Sequence, residues 1–369
     1  MFKKSYQIGT ISEIPIKLHI SFIIALPFIA WIVSTNIEMM TNLMNISYQE
    51  LIISDYILGL LIAIFLFVSV GLHELGHSFV ARSRGHEINS ITLMLLGGIS
   101  EIEEMSEEPN DELSISLIGP MVSLAIGLTM ILIATLTSNI FIADLVFLIL
   151  YLGQLNVFLA IFNLIPAFPN DGGRVLRSFI ARRQDFLTAT KIAVTVSKVI
   201  VFIFGIIGFL YGNFILILIA FFIYMRANQE FQYSMIKDTL SDLRVKDLMS
   251  QDVKYISADL TVRDLLEKML HKSHSGYPIL EDGKLIGCVT MEDVRNIKPE
   301  KHEDFTVRDI MSKDIKKVSP NEYVNKALQM LLEEDIGRLM VMEDDELVGI
   351  ITRTDIFNAF KIKQIERNL

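Results

Sequence analysis

Long apolar runs dominate the first 235 residues of the chain. Runs of the roughly 20 residues that a helix needs to cross ~30 Å of hydrocarbon lie near 14–34, 56–81, 113–136 and 140–166. Residues 188–226 are almost continuously apolar, and they are interrupted at Tyr211-Gly212-Asn213, where turn-forming residues let the chain fold back as a helical hairpin. The pattern predicts a polytopic α-helical membrane domain of about six transmembrane helices, the last of them short.

The rest of the chain has a different composition. The whole protein is 51% hydrophobic, but its charged residues are concentrated in residues 236–369, so a soluble part follows the membrane part. Cys288 is the only cysteine, which excludes an intramolecular disulfide and gives no sign of an oxidising compartment. The net charge of −10 is divided evenly between the two parts, so neither is predicted to bind nucleic acid.

The positions of lysine and arginine predict the orientation in the membrane, because basic residues in short loops stay on the cytoplasmic side. Lys3 and Lys4 precede the first run, and the connection at 35–50 has no basic residue. Basic residues then follow the second run (Arg82, Arg84) and the fourth (Arg174, Arg177, Arg182, Arg183). With six spans, we expect a multi-pass protein of the cell membrane with both termini and residues 236–369 in the cytoplasm.

The strongest chemical signal is the string His73-Glu74-Leu75-Gly76-His77 near the end of the second run. On a helix, histidines four residues apart project from one face and can share one tetrahedral metal ion, with Glu74 beside the metal-bound water. A polar helix end is the alternative interpretation, but ionisable groups in hydrocarbon are costly unless they are bound or functional. The distance along the helix to Ala81 predicts a site roughly 10 Å below the cytoplasmic surface.

Asp171 is the best candidate for a third protein ligand. It lies just past the cytoplasmic end of the fourth run, so the predicted topology brings it to the same membrane face as the two histidines. Pro166 and Pro169 cannot continue a helix, which predicts an irregular loop at membrane depth, and such a loop must be buried in protein or line a cavity. A helix cap or turn is the alternative role for Asp171.

The H-E-x-x-H span and the N-x-x-P-x-x-P-x-D-G segment at 163–172 together resemble the site-2 protease family of intramembrane zinc metalloproteases. The resemblance implies one Zn²⁺ per chain held by His73, His77 and Asp171, with Glu74 as general base and Asn163 as a polar group near the reacting carbonyl. It also implies hydrolysis of transmembrane protein substrates, which must unwind locally because a helix hides its peptide bonds in internal hydrogen bonds. Asn170 stands where the family often has leucine, which leaves the implied ligands unchanged.

Two further features are compatible with that family. Residues 93–98 (LMLLGG) are predicted to form a strand against the membrane that offers an unpaired edge to an extended substrate, or alternatively a re-entrant loop that only packs. Gly119-Pro120, early in the third run, is predicted to bend that helix or to let a neighbouring helix come close.

Residues 245–360 contain an internal repeat. VKDLMS at 245–250 recurs as VRDIMS at 307–312, and the same offset of 62 relates LIGCVTMED at 285–293 to LVGIITRTD at 347–355. Each unit is predicted to contain an amphipathic helix (262–270 and 324–332), two short strands and a helix that begins with Thr-x-x-Asp. The expected fold is therefore a duplicated small α/β unit.

This repeat resembles a tandem pair of CBS domains, which often bind adenine nucleotides through a threonine and an aspartate at the strand-to-helix junction. The matching residues are Thr290, Asp293, Thr352 and Asp355. The resemblance implies ATP or AMP as a ligand that regulates the enzyme. In the alternative interpretation each threonine and aspartate only caps its helix, and the pair is a docking or homodimerisation module.

We therefore predict three domains, a transmembrane zinc metalloprotease domain at 1–235 and two CBS domains at 236–300 and 301–369. The expected partners are the lipid bilayer, a transmembrane protein substrate and a second copy of the chain bound through the CBS pair. The main alternative function is a CBS-gated membrane transporter or channel, and bound zinc would distinguish the two.

Overall fold

The computed structural model describes residues 5–94, 97–102, 108–272 and 275–368. The chain divides into two compact units, Met1–Gln232 and Tyr233–Leu369. Their boundary lies close to the domain boundary predicted from the sequence, which stays a prediction.

The first unit consists of long apolar helices and one small sheet. Its strands are β1 (Ser5–Ile11), β2 (Ile14–His19), β3 (Ile88–Met94) and β4 (Gly97–Ile102). Its helices are α1 (Ile20–Ser34), α2 (Ile37–Leu43), α3 (Asp55–Ser83), α4 (Pro109–Thr137), α5 (Ala143–Asn163), α6 (Asp171–Ala181), α7 (Phe186–Leu210) and α8 (Phe214–Thr239). Among the described residues, helices α3, α4, α5, α7 and α8 are each long and apolar enough to span a membrane. Helices α1 and α2 meet at 59°, and if this bent pair is one span the count rises to six. The predicted polytopic helical fold is confirmed.

The first apolar run was predicted to be a span from residue 14, and this start is wrong. Residues 14–19 form β2, in which the apolar Ile14, Ile16 and Leu18 alternate with other residues as in a strand. Strand β2 pairs antiparallel with β1 and parallel with β3. Helix α1 begins only after His19, whose Nδ1 atom accepts the Ser21 N–H at 3.2 Å.

The sheet has the strand order β1-β2-β3-β4. Ile14 and Ile91 from its inner face pack with Leu75 of α3 in one buried cluster, so the sheet lies against the helix that carries the histidines. The predicted strand near 93–98 is confirmed for the described residues of β3 and β4, while Leu95 and Leu96 lie outside the described residues.

The last predicted span is longer than expected. Apolar residues fill the first half of α8, but the helix continues through the polar Asn228, Gln229 and Glu230 to Thr239. The prediction from hydropathy ended at Arg226, the first charged residue of α8. Backbone hydrogen bonding continues the helix beyond that residue.

The second unit contains the predicted duplication. Its elements are α9 (Val245–Leu248), α10 (Val262–Lys272), β5 (Gly276–Glu281), β6 (Lys284–Thr290), α11 (Met291–Arg295), α12 (Val307–Ile310), β7 (Lys317–Val318), α13 (Val324–Glu333), β8 (Arg338–Glu343), β9 (Glu346–Thr352) and α14 (Arg353–Asn368). The antiparallel pair β5–β6 corresponds to the pair β8–β9, with the same irregularity in register after the fourth residue of β5 and of β8. The second unit has two buried cores, one around Leu265 and Ile279 and the other around Leu331 and Val341. Each core also contains a residue from the start of the other repeat, Val307 in the first core and Val245 in the second.

Candidate metal centre

Helix α3 presents two histidines to the interior of the first unit. The spacing of four residues places His73 and His77 on the same face, and their Nε2 atoms lie 3.1 Å apart. Both side chains are buried. Buried imidazoles whose nitrogens point at each other need a shared partner, because two lone pairs at this distance repel each other unless a cation or a proton lies between them.

Asp171 is brought to the same point by the irregular segment that follows α5. Its Oδ2 atom lies 3.3 Å from Nε2 of His73 and 3.4 Å from Nε2 of His77. The segment is held in place at Phe168, whose N–H donates to the Ser197 hydroxyl at 2.9 Å, and at Asn170, whose amide donates to the Phe162 carbonyl at 2.8 Å. The predicted irregular loop is confirmed, and Asp171 is the first residue of α6.

The three atoms fit a zinc ion. Ligand atoms at the corners of a tetrahedron, each about 2.0–2.1 Å from a central zinc, are about 3.3–3.4 Å apart. The observed separations among the three atoms are 3.1, 3.3 and 3.4 Å. Two imidazoles and one carboxylate leave the fourth corner for water or substrate, as catalytic zinc sites do.

The second ring nitrogen of each histidine is also engaged. Nδ1 of His77 lies 2.6 Å from the Ile115 carbonyl oxygen, and Nδ1 of His73 lies 2.9 Å from the Ser123 hydroxyl, both on α4. A carbonyl oxygen can only accept, so Nδ1 of His77 carries the proton and Nε2 keeps its lone pair for a metal. Helix α4 thus fixes the orientation of both imidazoles.

Close backbone approach makes this arrangement possible. At Gly119 of α4, an added Cβ would overlap the rings of both His73 and His77, so any residue other than glycine would displace them. The prediction that Gly119-Pro120 allows close packing is confirmed, and α4 continues through Pro120 as one helix.

Glu74 lies next to the histidines on α3 and faces strand β4. An added Cβ at Gly98 of β4 would overlap the Glu74 side chain. β4 is the last strand in the order of the described sheet, so an outer strand of that sheet lies directly beside the candidate base.

Asn163 is the last residue of α5 and is half-buried. It precedes the segment that leads to Asp171. Its role as a catalytic residue remains a prediction.

Two residues that shape the site, Ser123 and Arg177, were not predicted from the sequence. Ser123 was hidden in an apolar run that also contains Ser114 and Ser116, and its position four residues after Gly119 was the available signal. Arg177 was used only as a marker of the cytoplasmic side, but it is 3% exposed and bonded to two glutamates, Glu112 and Glu230.

The predicted nucleotide-binding residues form helix caps. The Thr290 N–H and hydroxyl each donate to Oδ2 of Asp293 at 2.7 Å, and Thr352 donates in the same way to Asp355 at 2.9 and 2.7 Å. The predicted Thr-x-x-Asp helix starts are confirmed. The four residues belong to equivalent positions of the two repeats, and their role in ligand binding remains a prediction.

Comparison with known protein families agrees with both parts of the chain. The model of Peptidase family M50 matches residues 61–146 and 133–206, and the CBS domain model matches 245–300 and 307–362. These matches define a membrane metalloprotease with a tandem CBS pair.

A relative that matches nearly the whole chain agrees with this class. A zinc metalloprotease of Methanocaldococcus jannaschii is 35% identical over 366 residues, which cover 99% of this chain and 98% of the relative. A solved structure of the site-2 protease from Methanocaldococcus jannaschii is 36% identical, with a TM-score of 0.43, and covers 62% of this chain and 95% of that chain. The chain belongs to the site-2 protease family of zinc metalloproteases, and the resemblance that the two sequence motifs indicated is confirmed.

Proposed function

We propose that this protein hydrolyses peptide bonds of transmembrane protein substrates near the cytoplasmic face of the cell membrane. It uses one zinc ion held by His73, His77 and Asp171. The observation that carries the proposal is the convergence of their three ligand atoms at 3.1–3.4 Å inside a bundle of membrane-spanning helices. Both chain termini lie in the cytoplasm in this proposal, as the distribution of lysine and arginine predicts.

Zinc in this site would supply Lewis acidity toward a water molecule and the scissile carbonyl. Glu74 accepts the proton of the attacking water and returns it to the leaving amine nitrogen, which requires no covalent intermediate. His73 and His77 hold their Nε2 lone pairs toward the centre because Ser123 and the Ile115 carbonyl engage their Nδ1 atoms. Asn163 contributes a polar group near the reacting carbonyl.

The substrate reaches Glu74 in an extended conformation. A transmembrane helix hides its carbonyls in internal hydrogen bonds, so the segment to be cleaved must unwind and find new backbone partners. Strand β4 passes directly beside Glu74 and lies last in the described sheet, so pairing with its outer side would place an extended peptide against the base. Helix-breaking residues near the cleaved bond should therefore favour cleavage.

The second unit regulates the protease in this proposal. The tandem CBS pair binds ATP or AMP at Thr290, Asp293, Thr352 and Asp355, and it also provides the contact for a homodimer. Oδ2 of each aspartate already serves its helix cap, so a ligand would engage Oδ1 or the remaining lone pairs of the threonine hydroxyl. Nucleotide changes proteolysis only if it binds two arrangements of the protein with different affinity.

The test combines metal analysis with cleavage. The purified full chain should contain one zinc per chain and should cleave a reporter transmembrane substrate in lipid vesicles. A chelator should abolish cleavage, and added zinc should restore it. A metal-free chain, or cleavage that continues after the zinc has been removed, would contradict the proposal. A metal-free chain would favour the transporter or channel alternative, against which the family assignment already argues.

A further inference from the structure

A buried arginine connects the helix that begins with Asp171 to two membrane-spanning helices. Arg177 of α6 donates from Nε to Oε1 of Glu112 on α4 at 2.9 Å, and from one terminal nitrogen to Oε1 of Glu230 on α8 at 2.7 Å. Its other terminal nitrogen also contacts Glu112. Ser178, the next residue, donates to the second oxygen of Glu112 at 2.9 Å.

The same guanidinium lies against two aromatic rings. Its central carbon is 5.0 Å from the ring centre of Phe168 and 4.6 Å from that of Phe186. Phe168 is buried and belongs to the segment that leads into Asp171, while Phe186 is the first residue of α7. Arg177 therefore contacts α4, α8, the start of α7 and the segment before Asp171.

The cost of this arrangement points to a specific role. A buried ion pair is weak evidence for stability, because well-packed apolar residues of similar volume often stabilise a fold equally well. What a guanidinium adds is fixed geometry, since its donors lie in one rigid plane on three nitrogens, whereas the three donors of a lysine ammonium radiate from a single nitrogen on a flexible chain. Glu112 and Arg177 are both almost fully buried, so their geometry is tightly defined.

We propose that Arg177 is a positioning residue for the metal centre. It fixes the rotation and depth of α6 relative to α4, and α4 also holds both histidines through Ile115 and Ser123. One helix thus sets the orientation of the imidazoles and, through Glu112 and Arg177, the position of the third carboxylate. This inference rests on the proposed role of Asp171 as a metal ligand.

The decisive variant is Arg177→Lys, which keeps the charge and loses the fork. We expect zinc affinity, measured by chelator competition, to fall by about 10- to 100-fold, the range seen when groups that orient metal ligands are removed. The visible absorption spectrum of the cobalt-substituted protein should change. The decrease in kcat should be larger than any change in KM. A purely structural residue would lower the melting temperature without altering the cobalt spectrum of the folded protein.

Arg182→Lys is the matched control. Arg182 follows α6 directly and donates to Asn110 of α4 at 3.0 Å, but it is exposed. Its variant should keep parental zinc affinity and cobalt spectrum. If Arg177→Lys also behaves like the parent, the proposal is wrong.

Two additional variants keep the test decisive. If Arg177→Lys does not fold, Glu230→Gln is the alternative variant. It removes the negative charge that pairs with Arg177 on α8 and should weaken zinc binding to a smaller extent. Unchanged zinc affinity and an unchanged cobalt spectrum in this variant would overturn the proposal. Asp171→Ala separates the two hypotheses. If Asp171→Ala retains parental zinc affinity, the assignment of Asp171 as a ligand is wrong. If Asp171→Ala loses zinc affinity but Arg177→Lys and Glu230→Gln do not, only the positioning role is refuted.

Discussion

Nδ1 of His77 lies 2.6 Å from the Ile115 carbonyl oxygen, a bond between α3 and α4 inside the membrane unit. Because the carbonyl can only accept, this contact fixes the protonated nitrogen and directs Nε2 toward His73 and Asp171. The backbone of one span therefore orients the metal-facing side chain of another, and no substitution at Ile115 would remove the acceptor. The hydroxyl of Ser123 plays the corresponding role at His73 and can be removed by mutation.

Glu74→Gln should separate catalysis from metal binding. The amide cannot accept the proton of the attacking water, while all three proposed ligands remain, so we expect cleavage to fall by about 10²- to 10⁴-fold with parental zinc content. Cleavage of a reporter substrate and metal analysis of the same preparation check both parts. Cleavage at the parental rate would show that Glu74 is not the base.

Asp171→Ala should lower zinc binding as well as cleavage. It leaves two protein ligands, His73 and His77, and these do not retain zinc as three ligands do. We expect zinc affinity to weaken by more than about 100-fold, because losing a ligand costs more than losing one of the outer groups that orient ligands. Chelator competition measures the change. A variant that keeps parental affinity would require a different third ligand.

Gly119→Ala should damage the site although it adds only one methyl group. The new Cβ would overlap the imidazoles of His73 and His77, so either α4 or the two rings must move. We expect lost zinc binding and a destabilisation of about 1–3 kcal/mol, the usual cost of overpacking. Gly205→Ala on α7 is the control, because a Cβ there meets nothing within 4 Å. Similar effects of both substitutions would indicate a general intolerance of the helices to change.

The convergence of His73, His77 and Asp171 was predictable because its signals lie in short stretches of the sequence. The spacing of His73 and His77 determines that they share a helix face, and the apolar runs place Asp171 at the same membrane surface. The start of the first span was wrong because hydropathy does not distinguish an apolar strand from an apolar helix over six residues.

The network around Arg177 could not be predicted in the same way. Glu112 lies 65 positions before Arg177, and Glu230 lies 53 positions after it, and no periodicity links such distant residues. Arginine near a span end is usually a topology marker at the membrane surface, but the packing of α6 against α4, α7 and α8 buries this one.

Binding of adenine nucleotide to the second unit should change the cleavage rate of the full chain. Asp293→Asn should abolish that response while leaving the basal rate within about twofold, since the proposed ligand needs the carboxylate but the metal centre does not.

Asp309→Asn is the matched control, because Thr306 and Asp309 form the same kind of cap as Thr290 and Asp293 but at a position not predicted to bind nucleotide. The hydroxyl and N–H of Thr306 donate to the Asp309 carboxylate and lower its pKa. Asp309→Asn therefore also replaces an ionised capping carboxylate with a neutral amide. Cleavage rates with and without AMP or ATP, together with calorimetric titration of each variant, decide between the hypotheses. If both variants lose the response, the cap rather than a binding site is responsible, and if the parent binds no nucleotide, the CBS pair acts as a docking or dimerisation module.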